Sequence, residues 1–196
     1  RGKVAAVRAK SLLPTYDVFD EDRYFHPARE NKPVPFKGEK LGITICEDIW
    51  HEPIEGRRRL YTKDPVEELC RNGAQIILNI SASPFFAEKP AARYLALKKM
   101  SAAHKRPFLY CNLCGGNDEI VFDGNSLALG PSGQLWARAR AFAEDFIVVD
   151  TKLPPAPQRW HKGSAVAQTH DALVCGIRDF WGKCGFTKAV LGLSGG

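Results

Sequence analysis

A cysteine stands where an apolar run ends and two acidic residues begin, in the stretch GITICEDIW over residues 42–50. The run predicts a strand, and strand ends in α/β folds present catalytic groups because backbone N–H groups there can point at a developing oxyanion. Cys46 could therefore supply a thiolate nucleophile. The competing interpretation is a buried core thiol, since free cysteine is among the most buried residue types.

A thiolate at this position needs electrostatic help, because Glu47 and Asp48 beside it would disfavour one. The five histidines lie in unconnected stretches, so no Cys–His pair is predicted. The alternative is a Cys–Lys–Glu arrangement, in which the lysine stabilises the thiolate and stays positive beside the tetrahedral intermediate. Lys10 suits that role because it follows a candidate strand over residues 4–7, although a single lysine is usually a solvated surface residue.

The composition argues against several other classes of function. With 196 residues, 44% hydrophobic and 26% charged, the chain is typical of a globular protein. The net charge of +6 would permit an anionic partner, but the basic residues are scattered apart from residues 57–59, so we expect no nucleic acid partner. No apolar run approaches the roughly 18 residues that cross a membrane, so we expect no membrane partner.

Cysteine usage favours a reducing compartment. The six cysteines are too sparse for a disulfide scaffold and lie mostly in apolar segments, which predicts a cytoplasmic protein. Cys111 and Cys114 have CxxC spacing, but no second pair of ligands accompanies them. We therefore predict that both are core residues and that the chain has no metal site.

Apolar runs that alternate with amphipathic stretches predict an α/β fold with a mixed sheet. Helices are predicted over residues 64–72, with Asp64 as N-cap and Pro65 at the first position, and over residues 89–104. The run QIILNI over residues 75–80 is typical of a strand buried on both faces. The other predicted strands are residues 4–7, 41–46, 108–112, 121–122, 126–129, 135–139 and 146–149.

The C-terminal part is expected to begin a second unit after a proline-rich linker over residues 154–168. A helix from residue 169 to Gly185 and a strand over residues 189–193 are predicted there. The apolar face of that helix is predicted to comprise Leu173, Ile177, Phe180, Trp181 and Cys184. Because the chain starts with arginine and stops in a loop, we expect it to be a fragment.

Four motifs follow one another along the chain: KSLLPTYDVFDEDRYF at residues 10–25, GITICEDIW at 42–50, NISASPF at 79–85 and GGNDEIVFDGNS at 115–126. Together they closely resemble the glutaminase domain of glutamine-dependent NAD⁺ synthetases, a branch of the nitrilase or carbon-nitrogen hydrolase family. The final VLGLSGG, residues 190–196, resembles the start of the pyrophosphatase loop in the synthetase domain of that family. The resemblance implies a glutaminase domain over residues 1–153, the linker 154–168 and the start of a synthetase domain over residues 169–196.

The resemblance also implies a nitrilase-like α-β-β-α sandwich, truncated at the N-terminus and followed by the start of a Rossmann-like ATP-pyrophosphatase domain, in a homo-oligomer. It makes Cys46 the nucleophile and Lys10 the catalytic lysine, with Glu21 in support. The implied glutamine-binding residues are Tyr16, Glu47, Ser83, Lys89 and Arg93, and the implied ATP-binding residues are Ser194, Gly195 and Gly196. Ser83 could instead be an N-cap, and Lys89 and Arg93 solvated residues in the first turn of a helix.

The implied reaction is hydrolysis of L-glutamine through a Cys46 thioester, without a cofactor. The ammonia would pass to the synthetase domain, which uses ATP and Mg²⁺ to amidate nicotinic acid adenine dinucleotide to NAD⁺. The general-base glutamate of the family precedes the lysine motif, and nothing before Lys10 supplies it here, so we expect the chain by itself to be inactive in both half-reactions. The stretch SPFFAEK, where the family has SPFHxGK, weakens only the substrate-loop assignment.

Two other functions stay open. Another nitrilase-family amidase would share Cys46 and Lys10 but should lack the trailing synthetase start. A non-catalytic docking or assembly module would keep the core and tolerate loss of either residue. The presence of both residues and of the trailing motif favours the glutaminase interpretation.

Overall fold

The computed structural model describes residues 2–52 and 61–195. Its strands are β1 (Val34–Phe36), β2 (Glu39–Ile45), β3 (Ile76–Ser81), β4 (Phe108–Asn112), β5 (Cys114–Asn117), β6 (Ile120–Asp123), β7 (Leu127–Leu129) and β8 (Leu135–Arg138). Its helices are α1 (Pro65–Arg71), α2 (Lys89–His104) and α3 (Ala165–Cys184), with short 3₁₀ turns at Glu21–Arg23 and Cys46–Ile49.

Six of the strands form one mixed sheet within these residues, in the order β1-β2-β3-β4-β7-β8, and β5 and β6 form a separate hairpin. Strands β2, β3 and β4 are parallel, and the other pairs are antiparallel. The predicted α/β class with a mixed sheet is therefore confirmed.

Local signals start and stop the first two helices. Asp64 caps α1 by accepting the Glu67 N–H at 2.9 Å, and Pro65 occupies the first helical position, where it has no hydrogen bond to lose. Helix α2 is flanked by two residues with left-handed backbone, Glu88 (φ 74°) and Lys105 (φ 52°). Both helices lie within one residue of their predicted bounds, because the caps and prolines that set them are local in sequence.

These two helices cover one face of the sheet. The core between them and the strands consists of buried apolar side chains, namely Ile49, Val66, Leu69, Ala74, Ile77, Tyr94, Leu97, Phe108, Tyr110, Leu127, Leu129 and Leu135. On the opposite face Ile80 is 61% exposed and Cys111 is exposed as well. The predictions of a strand buried on both faces and of a core Cys111 are therefore wrong, because side chains alternate along a strand and the described helices cover one face only.

Helix α3 packs on the β5–β6 hairpin through small residues. Ala172 and Cys175 are buried there, and Gly176 lies so close that a Cβ added to it would meet Val121 at 3.1 Å. The small side chains let the helix approach the hairpin closely. The apolar face predicted for this helix is therefore mainly exposed: Leu173, Ile177, Phe180 and Cys184 point away from the hairpin, and Trp181 is half-buried.

The predicted start of the C-terminal helix is wrong, since α3 begins at Ala165 rather than at residue 169. Ser164 caps the helix by accepting the Ala167 N–H at 3.4 Å. Residues 189–193 belong to the described part of the chain and form no strand. The start of a Rossmann-like domain is therefore not shown, and the division into domains stays a prediction.

The remaining strand predictions are confirmed where the apolar run pairs with an adjacent strand. Residues 108–112 match β4, and β2, β3, β6, β7 and β8 lie within two residues of their predicted bounds. Residues 4–7 and 146–149 are described but form no strand, and Val4 and Phe146 are 84% and 88% exposed. Strands β1 and β5 were not predicted, because prolines surround the first and the second is Cys-Gly-Gly-Asn, which has low strand propensity.

Two expectations from composition concern the basic cluster and membrane-spanning helices. The basic residues 57–59 lie outside the described residues. Within the part of the chain that the structure describes, none of the helices combines the length and the apolar character needed to cross a lipid bilayer.

We predict that Gly176→Leu lowers the free energy of unfolding by about 1–3 kcal/mol, because the added side chain has no room between α3 and Val121. Gly182→Leu in the same helix is the matched control, since a Cβ there meets nothing within 4 Å. The control should be neutral or stabilising by up to about 1 kcal/mol, because leucine has the higher helix propensity. Urea unfolding followed by circular dichroism measures both, and equal effects would contradict the close packing of α3.

Candidate active site

The carboxyl ends of the three parallel strands carry polar side chains on the helix-covered face. One row crosses β2, β3 and β4 through Thr44, Asn79 and Tyr110, which are partners in the sheet. The next row contains Ser81 and Asn112, also partners. All five residues are at most 7% exposed. A buried polar layer at this edge marks a candidate site, because burying polar groups costs free energy that an apolar core would not.

Cys46 follows β2 directly and lies next to this second row. Its backbone is left-handed, with φ 44°, a conformation that costs a non-glycine residue free energy. The bend opens the turn Cys46–Ile49, and Asn79 Nδ2 donates to the Cys46 carbonyl at 3.4 Å. The cysteine is thus held at the end of a strand and stays half-buried.

Asp48 fixes this bend. Its side chain is buried, and Oδ1 accepts the N–H groups of Ser11 and Leu12 at 2.9 and 2.8 Å, while Oδ2 accepts that of Ile45 at 2.9 Å. Burial raises the pKa of Asp48, and these hydrogen bonds oppose that rise. One carboxylate therefore joins the end of β2 to the segment that carries Lys10, although Leu12 and Asp48 are 36 residues apart.

Lys10 and Glu21 form an ion pair beside the cysteine. Lys10 Nζ lies 2.7 and 2.6 Å from the two carboxylate oxygens of Glu21, and the side chains are 14% and 27% exposed. The charge of Lys10 also acts on the Cys46 thiol. The structure therefore brings together the three residues predicted as nucleophile, lysine and supporting glutamate.

The thiol of Cys46 is not intrinsically activated. Burial raises the pKa of Cys46; the charge of Lys10 opposes this rise most strongly, followed by hydrogen bonds from the Ala82 N–H and the Ser81 hydroxyl, while the charge of Glu47 adds to it. The net direction is upward, so the thiol is mostly protonated at neutral pH. It must lose its proton to a base before it can attack.

Glu47 is buried under two tyrosine hydroxyls. Tyr16 Oη donates to both carboxylate oxygens at 2.9 and 2.8 Å, and Tyr61 Oη donates to one of them at 3.1 Å. Burial raises the pKa of Glu47, and the two tyrosine hydrogen bonds lower it. Burial and the charge of Glu47 raise the pKa of both tyrosines, so their hydroxyls remain donors. The carboxylate keeps free acceptor positions that suit an ammonium group.

Lys89 interacts electrostatically with Cys46, and Ser83 lies in the loop between β3 and α2. The Ser83 N–H donates to Asn112 Oδ1 at 3.0 Å, and the residue is 2% exposed. Burial, and next the charge of Arg93, lowers the pKa of Lys89 to about 8. Ser83 is not the N-cap of α2, because Glu88 holds that position, and Lys89 is half-buried rather than solvated; the binding roles of both residues stay predictions.

Arg93 occupies a different position from the one expected of a substrate-binding residue. It is fully buried, Nη2 lies 2.7 Å from Asp123 Oδ1, and Nη1 donates to the Gly124 carbonyl at 3.3 Å. Its guanidinium also lies over the Tyr110 ring, 5.1 Å from the centroid. Both Nη atoms are thus engaged within the protein, and the buried Nε has no hydrogen-bond partner among the described residues. We therefore treat it as a residue that positions its neighbours.

A cavity of about 1050 Å³ opens beside the cysteine. Six of the residues that line it are Lys10, Glu21, Cys46, Ser81, Cys111 and Asn112. None of the five residues predicted to bind glutamine is among its lining residues, namely Tyr16, Glu47, Ser83, Lys89 and Arg93. The cavity therefore gives access to the reacting sulfur, and the predicted glutamine-binding groups lie outside its lining.

The sequence pattern of carbon-nitrogen hydrolases matches residues 1–156 of this chain. This chain belongs to the carbon-nitrogen hydrolase family. Among curated relatives, the glutamine-dependent NAD⁺ synthetase of Synechocystis sp. is 36% identical over 201 residues, which cover all of this chain and 36% of that protein. The chain thus spans little more than a third of the length of this relative.

Solved structures confirm the nitrilase-like fold. The glutamine-dependent NAD⁺ synthetase from Acinetobacter baumannii, solved with adenosine diphosphate, gives a TM-score of 0.82 at 30% identity and covers 94% of this chain and 34% of that one. A carbon-nitrogen hydrolase from Helicobacter pylori gives 0.59 at 24% identity, covering 70% of this chain and 49% of that one. Of the expected sandwich, the described residues supply one large sheet with its helices and the small β5–β6 hairpin.

The residues predicted to bind ATP follow α3 in the sequence. Ser194 and Gly195 are exposed and lie in no regular secondary structure. Gly196 lies outside the described residues. The nucleotide-binding role of the three residues stays a prediction.

One group of side chains has the composition of a metal site. Asp64, Glu67 and His104 bring one ligand atom each within 4.8 Å of one another. However, Asp64 caps α1 and Glu67 pairs with Arg71 at 3.2 Å. At a rise of 1.5 Å per residue, His104 lies about 22 Å along α2 from Lys89. We therefore assign this group of three residues no part in the candidate active site.

Four residues that shape the site were not singled out from the sequence as site residues. They are Asp48, Tyr61, Asn112 and Asp123. Each forms a hydrogen bond with a partner at least 11 residues away in the sequence. The local sequence pattern does not indicate which polar side chain will be buried. Asp48 and Asp123 lie inside quoted motifs and Asn112 lies three residues before one, and this was a signal for those three residues but not for Tyr61.

We predict that Asp48→Asn lowers the free energy of unfolding by about 2–4 kcal/mol, because an amide NH₂ would face a backbone N–H that the carboxylate now accepts. Asp118→Asn is the control, since Asp118 is exposed and its left-handed backbone suits asparagine equally well. Denaturant unfolding measures both. A loss for Asp48→Asn no greater than that of the control would show that the carboxylate does not fix the bend.

We also predict that Lys10→Met raises the pKa of the Cys46 thiol further, because the charge of Lys10 opposes the effect of burial. Alkylation by chloroacetone follows the thiolate fraction, so its rate at neutral pH should fall by about 10-fold or more. Rates measured across the alkaline range give the midpoint for each protein. Lys188→Met, at an exposed position, should keep the wild-type profile, and identical profiles for the two variants would remove Lys10 from the site.

Proposed function

We propose that this chain is the glutamine-hydrolysing part of a glutamine-dependent NAD⁺ synthetase, with Cys46 as nucleophile. The observation that carries the proposal is the left-handed Cys46 bend, which Asp48 ties to the segment that carries Lys10. Support also comes from the curated relative that aligns with the whole chain under that name. The activity of the whole protein is part of the proposal.

In this proposal the two charged groups on the α-carbon of L-glutamine are recognised by opposite charges. Glu47, which two tyrosine hydroxyls hold in place, pairs with the α-ammonium group. Lys89 and the Ser83 hydroxyl hold the α-carboxylate. The pKa of Lys89, at about 8, would rise when a carboxylate binds beside it. The side-chain amide is then left at Cys46.

Chemistry proceeds in two steps. The thiolate attacks the amide carbon and forms a C–S bond; the C–N bond then breaks, and the nitrogen leaves as ammonia after taking up the proton that the thiol gave up. Water adds to the thioester, the C–S bond breaks, glutamate leaves, and a proton from water restores the thiol. Lys10 stays positive beside the oxyanion in both steps. No cofactor takes part in this half-reaction.

The proton transfer requires a base that the described carboxylates do not offer freely. Glu21 is held by Lys10, Glu47 by two tyrosines, and Asp48 by three backbone N–H groups. We therefore assign none of the three as general base. A glutamate that precedes the lysine motif, as the family resemblance implies, fits this gap.

The rest of the proposed reaction belongs to a synthetase domain. Ammonia would amidate nicotinic acid adenine dinucleotide there, with ATP and Mg²⁺, and Ser194–Gly196 would begin the nucleotide loop. A cytoplasmic location and a homo-oligomer complete the proposal, with neither a nucleic acid nor a membrane partner.

We predict that a chloromethyl ketone analogue of L-glutamine, with CH₂Cl in place of the amide NH₂, alkylates Cys46 and that L-glutamine protects the thiol. The sulfur displaces chloride, so the reaction does not need a complete hydrolytic cycle. Peptide mass spectrometry locates the adduct. Cys111, which lines the same cavity, is the internal control: chloroacetone should modify it, and L-glutamine should not protect it.

Cys46→Ala should abolish the glutamine-protected adduct, and Cys184→Ala, at an exposed site on α3, should leave it unchanged. Protection by short aliphatic amides equal to that by L-glutamine would favour a different nitrilase-family amidase. An adduct that neither ligand suppresses would favour a non-catalytic docking module. Either result would overturn the proposed function.

A further inference from the structure

A second buried carboxylate organises the side of the site that faces α2. Asp123 is fully buried, and its oxygens accept hydrogen bonds from three side chains. Arg93 Nη2 donates at 2.7 Å, Asn112 Nδ2 at 3.2 Å and Asn125 Nδ2 at 3.3 Å. The guanidinium supplies the charge that a buried carboxylate needs.

Asn112 connects this carboxylate to the loop after β3. Its Nδ2 donates to Asp123, and its Oδ1 accepts the Ser83 N–H at 3.0 Å. The partners define the orientation of the amide, because only NH₂ can donate to a carboxylate and only the carbonyl can accept an N–H. Its backbone N–H donates to Ser126 Oγ at 3.0 Å, which fixes the residue further.

The same network leads back to Lys89. Arg93 and Lys89 are four residues apart on α2, so they lie on one face of the helix, one turn from each other. A path of contacts therefore runs from Ser83 through Asn112 and Asp123 to Arg93. One end is Ser83, and the other end, Arg93, lies one turn of α2 from Lys89; Ser83 and Lys89 are the two groups assigned above to the α-carboxylate of glutamine.

We propose that Asn112 is a positioning residue for the amino-acid end of the substrate, because it sets the Ser83 loop at a fixed distance from the face of α2 that carries Lys89. The inference rests on the proposed function and adds to it the device that holds the two carboxylate-binding groups together. A displacement of about 1 Å at such a group is enough to cost ~100-fold in rate.

The test compares a variant that loses both hydrogen bonds of Asn112 with a variant that can keep both. Asn112→Ala loses both, whereas Asn112→Asp keeps an oxygen that can accept the Ser83 N–H, and its carboxyl shares a proton with the adjacent buried carboxyl of Asp123. For each protein, the rate constant for alkylation of Cys46 by the chloromethyl ketone analogue of glutamine is divided by that for chloroacetone. Chloroacetone carries the same reactive group without the amino-acid end.

We expect Asn112→Ala to lower this ratio by about 10-fold or more while the chloroacetone rate changes by less than ~3-fold, and Asn112→Asp to keep most of the ratio. Ser101→Ala, which removes another buried hydrogen bond on α2, is the control for general loosening and should keep the ratio. If Asn112→Ala does not fold, Asn112→Ser replaces it, since a serine is too short to join Ser83 and Asp123.

An unchanged ratio in Asn112→Ala, or an equal slowing with both reagents, would overturn the role of Asn112. A loss in Asn112→Asp as large as in the alanine variant would do the same, because the acceptor for the Ser83 N–H and the link to Asp123 would then be present without effect. Failure of the proposed function gives a different result. In that case the wild-type protein itself shows no preference for the glutamine analogue and no protection by L-glutamine.

Discussion

A buried carboxylate with three backbone partners is the constraint on which the site depends. Asp48 cannot be buried cheaply unless its oxygens accept hydrogen bonds, and the donors available to it are the N–H groups of Ser11, Leu12 and Ile45. The segment that carries Lys10 has no strand of its own to hold it. Its position beside Cys46 therefore follows from the hydrogen bonds that Asp48 accepts.

Two buried carboxylates thus position different groups around the cysteine. Asp48 places the groups that act on the reacting bond, and Asp123 places the groups on the side of α2. The free-energy cost of burial is offset differently in the two cases. Backbone N–H groups donate to Asp48, whereas the guanidinium of Arg93 pairs with Asp123. Neither carboxylate lies in the lining of the cavity, so both act through other residues.

The sequence alone predicts those parts of the protein that depend on local signals. The caps and prolines of α1 and α2 gave their bounds, and the run before Cys46 gave the strand that presents it. The role of Asp48 could not be predicted. Its charge next to Cys46 disfavours a thiolate, and the backbone N–H groups of Ser11 and Leu12 that stabilise it are far away in the sequence. The packing face of α3 was missed for a related reason: hydrophobicity favours large residues such as Phe180, whereas close approach to the hairpin selected Gly176. Residues 4–7 show that an apolar run forms a strand only where a neighbour pairs with it.

The left-handed backbone of Cys46 has an evolutionary consequence. Glycine would adopt that conformation at no steric cost, whereas a residue with a Cβ loses about 1–2 kcal/mol there. Selection for stability alone would therefore drive this codon toward glycine. In a lineage that keeps the proposed chemistry the cysteine stays despite this cost, so drift to glycine here would be an early mark of a lineage in which the chemistry has been given up while the fold survives.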